Sequence, residues 1–139
     1  MVNIVEAQLT DLNAIVQIDR EVIGNTSRQG FIEDAIKQGH CILVKANNDV
    51  AGFSIYDTNF FECTFIALII VSPAKRRKGY ASQMMNHLVR TSPTDKIFSS
   101  TNRSNQSMQK VFEANGFVES GIVENLDEGD PEIIYFKSK

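Results

Sequence analysis

Apolar residues recur in two rhythms along this chain, and the places where one gives way to the other mark out its elements. Asn3 to Ala7 reads as a short first strand. Thr10 is then expected to cap a helix on which Leu12, Ile15, Val16 and Ile18 form a stripe near the helical period. Gly24-Asn25-Thr26 breaks it. A second short helix over Phe31 to Lys37 would set Phe31, Ile32, Ala35 and Ile36 on one side and end at Gly39, where a left-handed residue is tolerated. Strands are predicted over Cys41 to Ala46 and Val50 to Tyr56, joined as a hairpin by Asn47-Asn48-Asp49. The most apolar segment follows, FFECTFIALIIVSP. Its β-branched and aromatic content, with Pro73 as a stop, makes it a central strand.

From Lys78 to Arg90, Ala81, Met84, Met85, Leu88 and Val89 return at the three- and four-residue spacing of an amphipathic helix. Thr91 to Thr94 reads as a turn, Lys96 to Thr101 as a strand, and Gln106 to Asn115 as a helix with Met108, Val111 and Phe112 inward and Gly116 closing it. Two last strands, Phe117 to Val123 and Glu132 to Lys137, flank a turn rich in Asp and Gly. The order β, α, α, β, β, β, α, β, α, β, β mixes an antiparallel meander with strand-to-helix units. The fold class is therefore α/β or α+β, a mixed sheet with helices against it.

A chain of 139 residues with 42% hydrophobic and 22% charged residues fits one globular domain, 1–139. The start lacks a basic segment followed by an apolar one, and the apolar run Phe65 to Val71 is too short to span a bilayer. A cytoplasmic protein without a membrane partner is expected. Cys41 and Cys63 have neither CxxC spacing nor paired histidines, so buried thiols are expected rather than a disulfide or a metal site. His40 and His87 receive no role.

The net charge of −3 argues against nucleic-acid binding, but the distribution says more. Cys63 to Thr94 contains no Asp or Glu and carries Lys75, Arg76, Arg77, Lys78 and Arg90. After Lys110 the acids Glu113, Glu119, Glu124, Asp127, Glu128, Asp130 and Glu132 all precede Lys137.

The informative segment joins the central strand to the following helix: Ser72-Pro-Ala-Lys-Arg-Arg-Lys-Gly-Tyr-Ala81. A helix start exposes unpaired N–H groups and the positive end of the macrodipole, so a capping oxygen and nearby acids are usual. Four cations stand there instead. A bound polyphosphate would accept the N–H groups and neutralise the cations, and Gly79 would admit close approach. A solvated basic turn is the plainer alternative. A Walker loop is excluded because no Gly-Lys-Ser or Gly-Lys-Thr occurs, and a dinucleotide fingerprint because three spaced glycines are lacking.

Arg76-Arg77-Lys78-Gly79-Tyr80-Ala81 resembles the (Q/R)-x-x-G-x-(G/A) coenzyme A motif of the GNAT acyltransferases, and Val71-Ser72-Pro73 its V-x-P lead-in. The run from Asn105 through Phe112 and Glu113 to Gly116-Phe117 resembles the second signature of that family, N-x-x-A-x-x-x-Y-E-x-x-G-F. The resemblance implies acetyl-coenzyme A as co-substrate. Its pyrophosphate would rest on the amides of Arg76 to Ala81, and its pantetheine arm along Ile69, Ile70 and Val71, where the sheet splays from the Lys96 to Thr101 strand. Asn105 and Phe112 would complete the cofactor side. The implied reaction is direct attack of a primary amine on the thioester, aided by a base, oxyanion donors and an acid.

The pattern is broken in three places. The tyrosine that often serves as acid is Phe112 here, and a small alanine is replaced by Met108. The strand position of the glutamate base is Phe65, leaving Glu62 as the nearest carboxylate. Glu62 and Asn105 are the catalytic candidates, with an edge charge and a helix cap as their plain alternatives. Tyr135 could approach from the last strand, although an ordinary half-buried strand tyrosine is the expected reading. The acids Glu124 to Glu132 fall in a turn that in this family commonly borders the acceptor, which favours a cationic small-molecule or peptide amine. Two rival readings stay open: a coenzyme A-binding sensor without catalysis, and a polyanion-binding module. A homodimer is also left open.

Overall fold

In the computed structural model, which describes residues 1–139, the chain forms seven strands and four α-helices. The strands are β1 Val2–Glu6, β2 Cys41–Ala46, β3 Asp49–Phe60, β4 Cys63–Val71, β5 Lys96–Asn102, β6 Val118–Val123 and β7 Glu132–Ser138. The helices are α1 Leu12–Ile23, α2 Gln29–Lys37, α3 Tyr80–Thr91 and α4 Gln106–Ala114. The strands form a mixed sheet in the order β1-β2-β3-β4-β5-β7-β6, in which β4 and β5 run parallel. This is the mixed α/β class that the sequence predicts. The residues group into two compact units, Met1–Tyr56 with Leu68–His87, and Asp57–Ala67 with Leu88–Lys139.

In the first unit, the amphipathic stripes of α1 and α2 close over the inner face of β2 and β3. Ile15, Ile18, Ile32, Ala35 and Ile36 pack with Cys41, Leu43, Phe53 and Ile55. The hairpin between β2 and β3 turns on Asn47 and Asn48, with φ of 54° and 71°, the left-handed pair that a two-residue turn requires and that asparagine tolerates. Gly52 is obligatory for a different reason. A Cβ there would lie 2.6 Å from the carbonyl oxygen of Ile70, so only a bare backbone lets β3 approach β4 so closely. Ser54 adds a tie, its hydroxyl donating to the Leu68 carbonyl at 2.7 Å.

Two local expectations are corrected here. Thr10 is not a cap: it sits inside a single helical turn, Leu9–Asp11, and Asp11 reaches back to accept from the Gln8 N–H at 2.8 Å. Phe31 is 49% exposed rather than inward. At about 100° per residue it falls roughly 90° from the centre of the Ile32, Ala35 and Ile36 stripe. Nothing in the local pattern announced a further feature of this unit. The carboxylate of Asp19, 2% exposed on α1, receives both Nε and Nη2 of Arg28 at 3.1 and 2.6 Å, pinning the segment that leads into α2.

The second unit is built on β5, β7 and β6. Strand β7 pairs antiparallel with β5 from Lys96–Ser138 to Asn102–Glu132, and with β6 across a shift between Glu119 and Gly121. The parallel register of β4 with β5 covers Thr64–Ile97, Phe65–Phe98 and Ile66–Ser99. Alternation sends Ile97, Ser99, Thr101, Ile133 and Tyr135 to a buried face, where Phe112 of α4 and Phe117 join them. The buried hydroxyls are all answered: Ser99 donates to the Ile66 carbonyl, and Thr64 shares a hydrogen bond with Ser92.

The apolar segment read as one strand from Phe60 is in fact a hairpin. Strand β3 continues to Phe60, Phe61 and Glu62 form the turn with φ of 51° and 65°, and β4 starts at Cys63. Hydrophobicity concealed this turn, because it lacks the Asn, Gly or Asp that normally marks one. Of the inward trio expected on α4, Phe112 is buried, while Met108 and Val111 are only half-buried.

Candidate functional site

The basic turn begins as β4 ends. Ser72, buried, donates its N–H to the Ala51 carbonyl and accepts from Lys75 N–H, each at 2.8 Å, so Pro73-Ala74-Lys75 makes one tight helical turn. The chain then reaches α3 through Arg76, Arg77, Lys78 and Gly79, all exposed. Arg77 has φ of 65° and Gly79 φ of 79°, with Lys78 between them on the ordinary side. Such alternation turns successive N–H groups toward one concavity, an arrangement suited to anions. A Cβ on Gly79 would meet nothing within 4 Å, so the space above it is open.

The start of α3 matches the conflict read from the sequence. Its first turn holds no acid, and the first helical bond runs from Gln83 N–H to the Gly79 carbonyl at 3.0 Å. The amides of Tyr80 and Ala81 thus precede the hydrogen-bonded ladder. The helix begins at Tyr80 rather than Lys78, which leaves the last cation in the turn. Tyr80 itself is 8% exposed, so its ring belongs to the core and only its backbone faces the turn's chemistry. Ile69, Ile70 and Val71 are half-buried at the end of β4 in the same unit, directly before this turn.

The remaining candidates lie in the second unit. Asn105 caps α4, its Oδ1 accepting from the Met108 N–H at 3.1 Å, and its side chain is otherwise exposed. Phe112 is 1% exposed and stacks on Tyr135, ring centroids 4.6 Å apart. Tyr135 is therefore a core residue, and burial, followed by the charges of Glu119 and Glu113, pushes its phenol up. Glu62 does not stand on the central strand. It occupies the exposed hairpin turn before it, in the left-handed region.

Sequence reasoning missed the work done by the acidic turn. Asp130 accepts from both the N–H and the hydroxyl of Ser104, at 3.0 and 2.6 Å. The Asn102 amide donates to Asp127 at 2.9 Å and to the Asp130 carbonyl at 3.2 Å. Two of the acids thus fasten the loop from β5 into α4, on which Asn105 stands. Glu132 accepts from the Ser100 hydroxyl at 2.7 Å. Asp130 is followed by a proline and lies in a polar turn, the setting of a loop-tying Asp, but its partner Ser104 is twenty-six residues away and carries no local signal.

The order of elements, the basic turn into α3 and the capped α4 define an acyl-coenzyme A acyltransferase fold. Residues 9–117 match the Acetyltransferase (GNAT) family, and the chain belongs to that family, whose co-substrate is acetyl-coenzyme A. A GNAT-family acetyltransferase from Bacillus cereus ATCC 10987 is similar over 100% of this chain and 98% of its own, with 60% identity and a TM-score of 0.97. The Arabidopsis thaliana Naa50, solved with the bisubstrate analogue CoA-Ac-MVNAL, shares the fold at 17% identity, TM-score 0.80, covering 99% of each chain. The yncA acetyltransferase from Salmonella typhimurium, solved with acetyl-CoA, shares it at 15% identity and TM-score 0.79, over 99% of this chain and 93% of its own. No curated protein matches the sequence significantly. No helix is long and apolar enough to cross a membrane.

Proposed function

We propose that the chain, 1–139 acting as one functional domain, transfers the acetyl group of acetyl-coenzyme A to a primary amine by direct attack. The observation that carries the reading is the acid-free start of α3 behind the left-handed Arg77 and Gly79. The amides from Arg76 to Ala81 would hold the pyrophosphate, with Arg76, Arg77 and Lys78 neutralising its charge. Ile69 to Val71 would pair their backbone with the pantetheine amides. Asn105 and Phe112 enter on the second family signature, Asn105 through the part of its amide that the cap does not use.

In the reaction the amine nitrogen bonds to the thioester carbonyl carbon. The carbon–sulfur bond breaks as the tetrahedral intermediate collapses, the thiolate leaves, and the nitrogen's extra proton passes to a base. Glu62 is the carboxylate the sequence singles out for that step; from its exposed place in the β3–β4 turn it would take the proton by way of solvent rather than by direct contact with the amine. Phe112 cannot donate a proton, so the thiolate would be protonated by Ser107 or by solvent. Acids of the β6–β7 turn, from Glu124 to Glu132, would attract a cationic acceptor; the bonds that Asp127 and Asp130 accept come from the neutral Asn102 and Ser104 and leave their charge in place.

Thiol release from acetyl-coenzyme A, measured with polyamines, amino acids, aminoglycosides and peptide N-termini, tests the assignment. Turnover with at least one amine supports it. Cofactor binding without turnover on any of them favours the sensor reading, for which the loss of the tyrosine at Phe112 is the specific observation.

A further inference from the structure

Strand alternation in the second unit defines a face opposite to the one that α4 covers. Phe98 is the direct partner of both Phe65 and Phe136, so the three rings share that face. Phe98 and Phe136 lie 5.2 Å apart between centroids. Phe60 closes the cluster at 4.9 Å from Phe65 and 5.0 Å from Phe98. All four are half-buried, whereas Phe112 and Tyr135 on the opposite face are almost fully covered. Two residues along β5 from Phe98, roughly 7 Å by strand rise, stands Ser100, whose hydroxyl donates to the half-buried carboxylate of Glu132. An aromatic shelf and a negative charge thus share one sheet face.

The turn beside the shelf supplies a second, independent observation. The same chain builds two hairpins on left-handed pairs, and one uses Asn47-Asn48, residues that accept this conformation. The other uses Phe61-Glu62. A bulky ring at φ of 51° is strained, and Phe61 is 86% exposed, so its ring contributes little to the core. It meets Phe60 edge-on at 5.1 Å, extending the shelf into solvent. Strain retained at an exposed ring points to a role outside folding.

We propose that this face selects the acceptor: a primary ammonium carried on a short spacer from an aromatic group, with the ring received by Phe60, Phe61, Phe65, Phe98 and Phe136 and the ammonium held near Glu132. The inference rests on the acetyl-transfer reading and names the substrate class for it. Aromatic pairs add attraction beyond their buried area, and the carboxylate supplies the complementary charge.

The experiment is calorimetric titration of 2-phenylethylamine and of butylamine in the presence of coenzyme A, together with acetyl transfer to both and sedimentation of the free protein. The aromatic amine is expected to bind at least about tenfold more tightly than butylamine, the scale on which apolar pockets discriminate. Phe61→Asn removes the ring and suits the turn, so it should raise the melting temperature while weakening 2-phenylethylamine binding several-fold. A merely structural Phe61 would not separate those two effects. Glu132→Gln should weaken both amines and leave their ratio intact. Equal affinity for the two amines overturns the inference, as does unchanged binding by Phe61→Asn. A concentration-dependent dimer that Phe61→Asn abolishes, without aromatic amine binding, also overturns it and assigns the face to a second copy. Tight aromatic binding without acetyl transfer leaves the shelf standing and removes the acetyl-transfer reading instead.

Discussion

The ring of Phe112 lies nearly parallel to that of Tyr135, their planes 18° apart and their centroids separated by 4.6 Å. The one position at which the family often places a proton-donating tyrosine is thus held in an aromatic stack by a residue with no proton to give. Phe112→Tyr keeps the ring and adds a hydroxyl, so steady-state kinetics should show turnover kept or raised and the Michaelis constant for acetyl-coenzyme A nearly unchanged. Phe112→Ala should destabilise the fold by about 3–5 kcal/mol, as expected for an aromatic core truncation. A collapse of turnover in a folded Phe112→Tyr protein would show that the ring serves another purpose.

Asp130 ties Ser104 with two hydrogen bonds from one carboxylate. Asp130→Ala should therefore lower stability by roughly 1–2 kcal/mol, since bonds to an ionised acceptor exceed neutral ones. Denaturant titration should show this loss, whereas Glu128→Gln, which neutralises a neighbouring exposed acid, should leave the midpoint where it was. Equal stability of all three proteins would mean the ties add nothing.

Cys41 offers a pH test. Complete burial, aided by the charge of Asp11, pushes its thiol up to about 12 from an ordinary value of 9.0. The unfolded chain therefore loses this proton at lower pH than the folded chain does. The stabilising difference is fully present below pH 9 and declines as pH climbs from there toward 12, by up to about 1.4 kcal/mol per pH unit. Cys41→Ser should flatten that part of the stability curve. In native protein near pH 8, a thiol reagent should label the half-buried Cys63 and spare Cys41 until unfolding. Equal labelling of both in the folded state would contradict the burial.

The periodic parts of the fold were legible in the sequence because each obeys one rhythm. The stripes of α1 and α3, the hairpin on Asn47-Asn48 and the alternation of β5 and β7 follow from side-chain spacing alone. Phe61-Glu62 was not legible, because a turn made from an apolar and a charged residue has no local signature and its conformation is imposed by the strands on either side. Asp19 with Arg28, and Asp130 with Ser104, were hidden for a related reason. A polar residue's partner is a matter of tertiary placement, and spacing records nothing of it. The basic turn lay at the other extreme: its cations contradict the usual rule for a helix start, and that contradiction is itself visible in sequence.

The central claim is that the turn ending in Gly79 holds acetyl-coenzyme A, and melting temperature measured against ligand concentration tests it most directly. A ligand bound only by the native chain stabilises it by mass action, about 2.7 kcal/mol at one hundred times the dissociation constant. Gly79 has φ of 79° and open space before it, so Gly79→Glu adds some backbone strain and sets a charged side chain where the pyrophosphate would lie. The wild-type melting temperature should rise with acetyl-coenzyme A up to millimolar concentration, and that of folded Gly79→Glu should not. A wild-type protein that stays folded and shows no rise at millimolar acetyl-coenzyme A would contradict the account.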